Sequence, residues 1–210
     1  MTIAIIGAGH VGQALARALI EKRYRVRFGV PDPEKIADLP SRFKEGVTVG
    51  TVKDVIEGVE MAILATPYAA ALQVAKDVAD WEYRILIDAT NPIAPGMAGL
   101  VVGNTTSGAM EIARLAYHAR VVKAFNTTGF ENLAQPDYPG GGLFLPVAGD
   151  DAEARKKVIA LAASIGFDAV DLGDLSASRY LEPWAMVWIE MAMRLGYGRD
   201  FGFIRQRKRN

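Results

Sequence analysis

A chain of 210 residues, 50% hydrophobic and 23% charged, has ordinary globular composition and enough apolar material to bury a core without staples. Its formal net charge of zero argues against a nucleic-acid binder, and the absence of cysteine excludes disulfides, thiolate metal sites and cysteine nucleophiles. The two histidines, His10 and His118, are far apart in sequence, so no histidine metal site is expected.

The N-terminal run Met1-Thr2-Ile3-Ala4-Ile5-Ile6 lacks a basic segment and ends in glycines rather than a cleavage site; it reads as a strand over 3–6, not a signal peptide. It enters Gly7-Ala8-Gly9-His10-Val11-Gly12 and leaves as a helix over 11–22, with apolar Val11, Leu15, Ala18 and Leu19 on one side. A lone G-x-G-x-x-G is weak evidence, but between strand and helix it marks a dinucleotide site. Gly7 permits the tight turn, Gly9 lets the backbone approach the pyrophosphate, and Gly12 lets helix and strand pack closely. The helix N-terminus, at His10 and Val11, offers unpaired N–H groups and about half a positive charge to the phosphates. The His10 ring is expected to line the groove rather than to catalyse, and His118 to sit in solvent or against a helix C-terminus.

The second strand, 25–29, leads into Val30-Pro31-Asp32, where the adenosine ribose is normally read. An acid there accepts from the 2′-hydroxyl of NAD; an arginine accommodates the 2′-phosphate of NADP. Val30 stands at the acid's place and Pro31 at the arginine's, and neither side chain makes the contact. Asp32 is the nearest acid, two positions late, and is equally a turn residue capping the helix after Pro33. Lys35 and Arg42 are alternative sources of positive charge. The sequence leaves NADP or NAD open at this point.

Further strands are predicted at 61–66, 84–90, 121–126, 143–149 and 169–172, with a weaker one at 47–49; helices are predicted at 69–78, 108–117 and 152–165. Several strands are continuously apolar, as strands covered on both faces are. The alternation gives an α/β chain with a Rossmann-type, doubly wound, mostly parallel sheet. Pro-Asp-Tyr-Pro-Gly-Gly-Gly at 136–142 is the clearest loop signal. The expected division is a dinucleotide-binding domain over 1–127 and a small C-terminal unit over 128–210, with dimer contacts. A last helix is expected over 178–195, its stripe Leu181, Trp184, Ala185, Trp188, Met191, Ala192 and Leu195 packing in the core or against a second copy; the alternative is a tryptophan stacked on a cofactor. The apolar stretch 181–193 carries two glutamates and a proline and is too short to span a bilayer. A soluble, cytoplasmic chain without membrane or nucleic-acid partners follows. The basic end Arg205-Gln206-Arg207-Lys208-Arg209 is expected to be a solvated terminus, with attraction of an anionic cofactor tail as the alternative.

Ligands in such sheets bind beyond the carboxyl ends of the strands. Those ends read Ala65-Thr66-Pro67-Tyr68, Asp88-Ala89-Thr90-Asn91-Pro92 and Lys123-Ala124-Phe125-Asn126-Thr127-Thr128-Gly129. Asn91 and Asn126 are natural partners for a carboxamide, although turn chemistry explains some of these residues. No Ser-His-Asp set and no paired carboxylates appear at one strand end; Lys123 is the obvious ionisable candidate. A hydroxy-acid dehydrogenase needs a proton-transfer group. Hydride exchange between two flat cofactors mainly needs two rings stacked at about 3–3.5 Å and water excluded, which suits this chain better.

These residues resemble a known family, the deazaflavin-dependent NADP oxidoreductases, which pass hydride between NADPH and an 8-hydroxy-5-deazaflavin (coenzyme F-420). The resemblance rests on the glycine loop, Val-Val-Lys-Ala-Phe-Asn-Thr at 121–127, Val-Ala-Gly-Asp-Asp at 147–151, Leu-Glu-Pro-Trp-Ala-Met at 181–186 and Gly-Arg-Asp-Phe at 198–201. Length agrees: related ketoacid and imine reductases carry a further helical domain that 210 residues cannot hold. The stretch at 123–127 is also similar to the cytosolic reductase domain of membrane ferric reductases, whose acceptor is a flavin. The resemblance implies that Gly7, Gly9, His10, Val11 and Gly12 hold pyrophosphate and that Val30, Pro31 and Asp32 lie at the ribose. It places Ala65, Thr66, Pro67, Asn91 and Pro92 beside the nicotinamide and Ala124, Phe125, Asn126, Thr127 and Thr128 along the second-cofactor cleft. NADP-using members place a serine or similar residue and an arginine where this chain has Val30-Pro31. The reading is an NAD(P)-dependent oxidoreductase, a homodimer, using NADP (or NAD) and a deazaflavin or flavin. The alternatives are a dinucleotide-binding sensor without catalysis and a small-substrate dehydrogenase using Lys123 or His10.

Overall fold

The computed structural model describes residues 1–206 and 208. Arg207 and Arg209 of the basic end lie outside them. Ten strands and seven α-helices follow in chain order: β1 Thr2–Ile6, α1 His10–Glu21, β2 Arg25–Gly29, β3 Val47–Gly50, α2 Val52–Ile56, β4 Met61–Leu64, α3 Tyr68–Asp77, β5 Ile85–Asp88, α4 Gly108–Leu115, β6 Arg120–Lys123, α5 Phe130–Ala134, β7 Asp137–Tyr138, β8 Gly141–Gly142, β9 Phe144–Gly149, α6 Ala152–Ser164, β10 Asp168–Asp171 and α7 Ser178–Ile189. Eight strands form one sheet in the order β10-β9-β6-β5-β4-β1-β2-β3. From β3 to β6 neighbours run parallel, whereas β9 runs antiparallel to β6 and parallel to β10. The result is the doubly wound, mostly parallel α/β sheet expected, with β9 and β10 extending the same sheet past β6.

Strand periodicity divides the core in two. On β1, Ile3 and Ile5 face the layer of α1, α5 and α6, packing with Leu15, Leu19, Phe28, Ile63 and Ile87. Ala4 and Ile6 face the opposite layer of α2, α3 and α4, with Leu64, Leu86, Ile112 and the fully buried Trp81. Continuous apolar strands are what a sheet covered on both faces needs.

The strands at the carboxyl edge stop earlier than hydrophobicity alone indicates. β4 ends at Leu64, β5 at Asp88 and β6 at Lys123, because the residues beyond turn out of the sheet into the loops that form the site. The clearest break is Phe125, a buried non-glycine residue in the left-handed region at φ 64°. The loop at 136–142 folds into a hairpin, β7 pairing antiparallel with β8 across Pro139-Gly140. The short α2 and α5, five residues each, escape helical periodicity because they make little more than one turn.

The last helix divides its expected stripe. Leu181, Ala185, Trp188 and Ala192 are buried, whereas Trp184 and Leu195 are exposed. Past Ile189 it widens into a π-helical turn, Glu190–Arg194. The tail then folds back: Trp188 Nε1 donates to the Phe201 carbonyl at 2.9 Å, and the Phe144 N–H donates to the Phe203 carbonyl at 2.8 Å. Arg205 grips Asp168 through two bonds of 2.9 Å, so this part of the basic end is tied down, not free in solvent. Trp188→Phe deletes one of these bonds; the expected loss is about 1 kcal/mol of stability, with faster proteolytic trimming after residue 195 as the readout. Among the described residues no helix is long and apolar enough to cross a membrane.

Candidate functional site

The glycine loop shows three different demands. Gly7 has φ +108°, and a Cβ there would lie 2.5 Å from the Ala65 carbonyl oxygen. A Cβ on Gly12 would lie 2.1 Å from the Gly7 carbonyl oxygen. A Cβ on Gly9 would meet nothing within 4 Å. Gly7 and Gly12 are thus fixed by the fold, whereas Gly9 faces open space where a ligand can approach its backbone. α1 makes its first bond from Gln13 N–H to the Gly9 carbonyl, at 2.9 Å, and has no side-chain cap and no acid in its first turn. Gln13 Nε2 ties back to the Ala8 carbonyl at 2.8 Å. The helix N-terminus is left for an anion.

A groove of about 310 Å³ opens there, lined by Gly9, His10, Val11, Ala65, Thr66, Pro67, Ala89 and Phe130. A larger hollow of about 660 Å³, with Thr2, Arg25, Arg27 and Thr48 in its wall, lies at the amino ends of β1 to β3; doubly wound sheets bind ligands at the other end. His10, the first residue of α1, stacks on Phe130 with ring centroids 4.7 Å apart and planes 17° apart. The Arg199 guanidinium lies over the Phe130 ring at 4.9 Å and pairs with Glu131. Thr66 Oγ1 is buried without a hydrogen-bond partner.

Beyond β5 and β6 two amides hold each other. Asn126 Nδ2 donates to Asn91 Oδ1 at 2.9 Å and to the Leu181 carbonyl at 3.1 Å, and Asn91 Nδ2 donates to the Asn126 carbonyl at 2.9 Å. Asn126 Oδ1 is buried and has no partner. A buried acceptor left unpaired is costly unless a ligand answers it.

Beneath this end lies a buried ion cluster. Lys123 Nζ, 0% exposed, lies 2.8 Å from Asp88 Oδ2, 2.6 Å from the Thr90 carbonyl oxygen and 3.1 Å from Glu182 Oε1. Asp88 Oδ1 accepts from the Thr90 N–H at 2.9 Å and its hydroxyl at 2.7 Å. Glu182, on α7, accepts from the Gly108 and Ala109 N–H groups of α4, at 2.9 and 3.1 Å. Burial by itself pulls the Lys123 ammonium down, but the charges and hydrogen bonds of Asp88 and Glu182 outweigh it and the net shift is upward. Lys123 was the proton-transfer group of the alternative, a small-substrate dehydrogenase. Its ammonium is spent on three oxygens inside the protein, and Lys123 is not among the residues that line the groove.

The family described as NADP oxidoreductase, coenzyme F-420-dependent, matches residues 2–92. A solved protein from Arthrobacter sp. FB24, assigned as an F-420-dependent NADP reductase, is 33% identical over 99% of this chain and 100% of its own, with a TM-score of 0.87. This chain belongs to the coenzyme F-420-dependent NADP oxidoreductase family. A hypothetical protein from Sinorhizobium meliloti is 32% identical, with 85% of this chain and 88% of the other covered and a TM-score of 0.76. Rat metalloreductase STEAP3 is 26% identical over 180 residues, 86% of this chain; the chain spans 35% of that relative's length.

In this oxidoreductase Gly7, Gly9, His10, Val11, Gly12, Ala65, Thr66 and Pro67 come together at the groove or its floor. Pro92, Ala124, Phe125 and Thr127 are buried. The Phe125 ring packs edge-on against Phe167, so Phe125 shapes the cleft by its backbone turn. Val30, Pro31 and Asp32 follow β2 beside the loop, Gly29 accepting the Gly7 N–H at 2.9 Å. Asp32 caps no helix; it pairs with Lys35 at 3.0 Å on the surface. Arg42 pairs with Asp38 at 2.8 Å, and its hydrogen bond and charge hold the Asp38 carboxyl below the usual range. His118 takes a left-handed turn, lies 3.1 Å from Asp80 and stacks on Tyr83. Sequence reasoning missed Ala89, which has no chemistry to signal it, and Phe130, an aromatic that opens a helix just after a glycine. It also missed Glu182, whose partners are brought together only by the packing of α7 on α4.

The residues present fit a dinucleotide: an open glycine cradle, an uncapped helix N-terminus, and two unpaired buried polar atoms, Thr66 Oγ1 on the groove wall and Asn126 Oδ1 in the loop after β6.

Proposed function

We propose that this oxidoreductase passes hydride between NADPH and a deazaflavin or flavin-type acceptor. The observation that carries it is the groove wall: an open glycine loop with an uncapped helix N-terminus, an unpaired Thr66 hydroxyl, and His10 as the one ionisable side chain among the described lining residues, laid flat on Phe130. When bound, NADPH would supply the hydride, with its electron pair, to the acceptor. Gly9 and the first turn of α1 hold the pyrophosphate; Thr66 and Asn126 orient the carboxamide; Phe130 and Pro67 exclude water. The proton that the reduced acceptor ring takes up would come from solvent, so no side chain of the groove has to deliver one. Residues 1–127 form the dinucleotide half, and 128–210 supply Phe130, Arg199 and the wall of the acceptor cleft. The exposed Tyr180, Trp184 and Val187 of α7 form the contact between two copies, and the protein works in the cytoplasm.

Loss of nicotinamide absorbance in the presence of purified deazaflavin, or of FMN or FAD, tests the reading. Turnover with one of them is expected; none with any of them, combined with tight dinucleotide binding, would leave a sensor instead. Calorimetric titration tests the ribose end. With Val30-Pro31 in place of an arginine and Lys35 tied to Asp32, preference for NADP over NAD is expected to stay within about tenfold, one charge-assisted contact's worth. A thousandfold preference would require a phosphate site elsewhere.

A further inference from the structure

We infer that the buried cluster Asp88–Lys123–Glu182 acts as a positioning charge: it biases the groove toward the oxidised, cationic nicotinamide and so makes bound NADPH a stronger hydride donor. The inference rests on the proposed dinucleotide site. Every hydrogen-bond partner of the two carboxylates is a donor: the Thr90 N–H and hydroxyl, the Gly108 and Ala109 N–H groups, and Lys123 Nζ. Carboxylates that only accept are ionised. Two of them against one ammonium leave a net charge of −1, all of it inside the protein.

The N-terminus of α4 carries about half a positive charge and offsets part of this at Glu182, leaving Asp88 as the negative centre. Asp88 is next in sequence to Ala89, which lines the groove. Tyr68, next to Pro67 in the chain, lies within reach of the same charges: its hydroxyl is pushed upward by burial and by Glu111, with the charges of Glu182 and Asp88 adding to the effect. NADP⁺ and NADPH differ by one charge on the ring that would sit here, so a fixed negative charge separates their affinities. Burial makes that separation insensitive to salt.

The test compares binding of the two redox forms, not turnover. Calorimetric Kd values for NADP⁺ and NADPH are measured on the unmodified protein, Glu182→Gln and Asp88→Asn, with circular dichroism confirming the fold. In the unmodified protein NADP⁺ is expected to bind more tightly. Each variant removes one negative charge and is expected to shift the ratio of the two Kd values toward NADPH by about tenfold, from one charge at an effective dielectric near 20. A purely structural role would weaken both forms together and leave the ratio unchanged. That result, or tighter NADPH binding by the unmodified protein, would overturn the inference. Failure to bind either form would instead sink the dinucleotide reading.

Discussion

Gly9→Ala is expected to weaken dinucleotide binding by about 10- to 100-fold, the loss of one backbone contact to a charged group, while the protein melts within about 2–4 °C of the original, a change worth about 1 kcal/mol. Gly12→Ala is expected to do the opposite. The two glycines are three residues apart on one loop, but an added methyl group meets open space at Gly9 and the Gly7 carbonyl oxygen, at 2.1 Å, at Gly12. Gly9 has φ −76°, which alanine adopts freely. Its methyl group obstructs only a ligand that needs its backbone. At Gly12 the opposing atom is main chain, so α1 must move off β1, and overpacking of at least about 3 kcal/mol follows. For a chain of this size that lowers Tm by about 6–12 °C. Thermal melts with calorimetry on both variants check the contrast. Equal loss of Tm in both would make Gly9 a packing residue; unchanged affinity in Gly9→Ala would remove the pyrophosphate from this loop.

That contrast also marks how far the sequence could be read. The spacing of Gly7, Gly9 and Gly12 after an apolar strand announces the site because local chain geometry alone demands those residues. The sheet was legible for the same reason: Ile3 and Ile5 alternate with Ala4 and Ile6, and every helix of eight residues or more carries an apolar face. What stayed hidden depends on distant parts of the chain meeting. Asn91 and Asn126 look like two free carboxamide ligands in sequence, but 35 residues apart they bond to one another, leaving a single oxygen for a ligand. Glu182 looks like a charged interruption of an apolar helix. Only the packing of α7 on α4 shows it closing an ion cluster with a lysine 59 positions earlier. The burial of Lys123 stayed hidden for the same reason, since exposure is a tertiary property.

Lys123→Met is expected to destabilise the protein by about 3–5 kcal/mol, because removing one member of a buried ion cluster leaves uncompensated charge behind. Two carboxylates at 0% and 1% exposure would then face each other without the ammonium. A hydrophobic replacement of all three is not expected to restore stability, although buried ion pairs often tolerate it. Here Asp88 also satisfies the Thr90 N–H and hydroxyl, and Glu182 the first two N–H groups of α4, so the triple variant takes the acceptor from four buried donors. The pH dependence has a definite sign. Lys123 is raised above its ordinary value of 10.5, so its contribution is fully present below that pH and is lost as pH rises through the folded value. The original protein should therefore lose stability to alkali above about pH 10.5, and Lys123→Met should lack that component. Denaturant titrations at neutral and alkaline pH check both statements. A Lys123→Met protein with its stability intact but no turnover would return the lysine to a catalytic role, against its three internal partners.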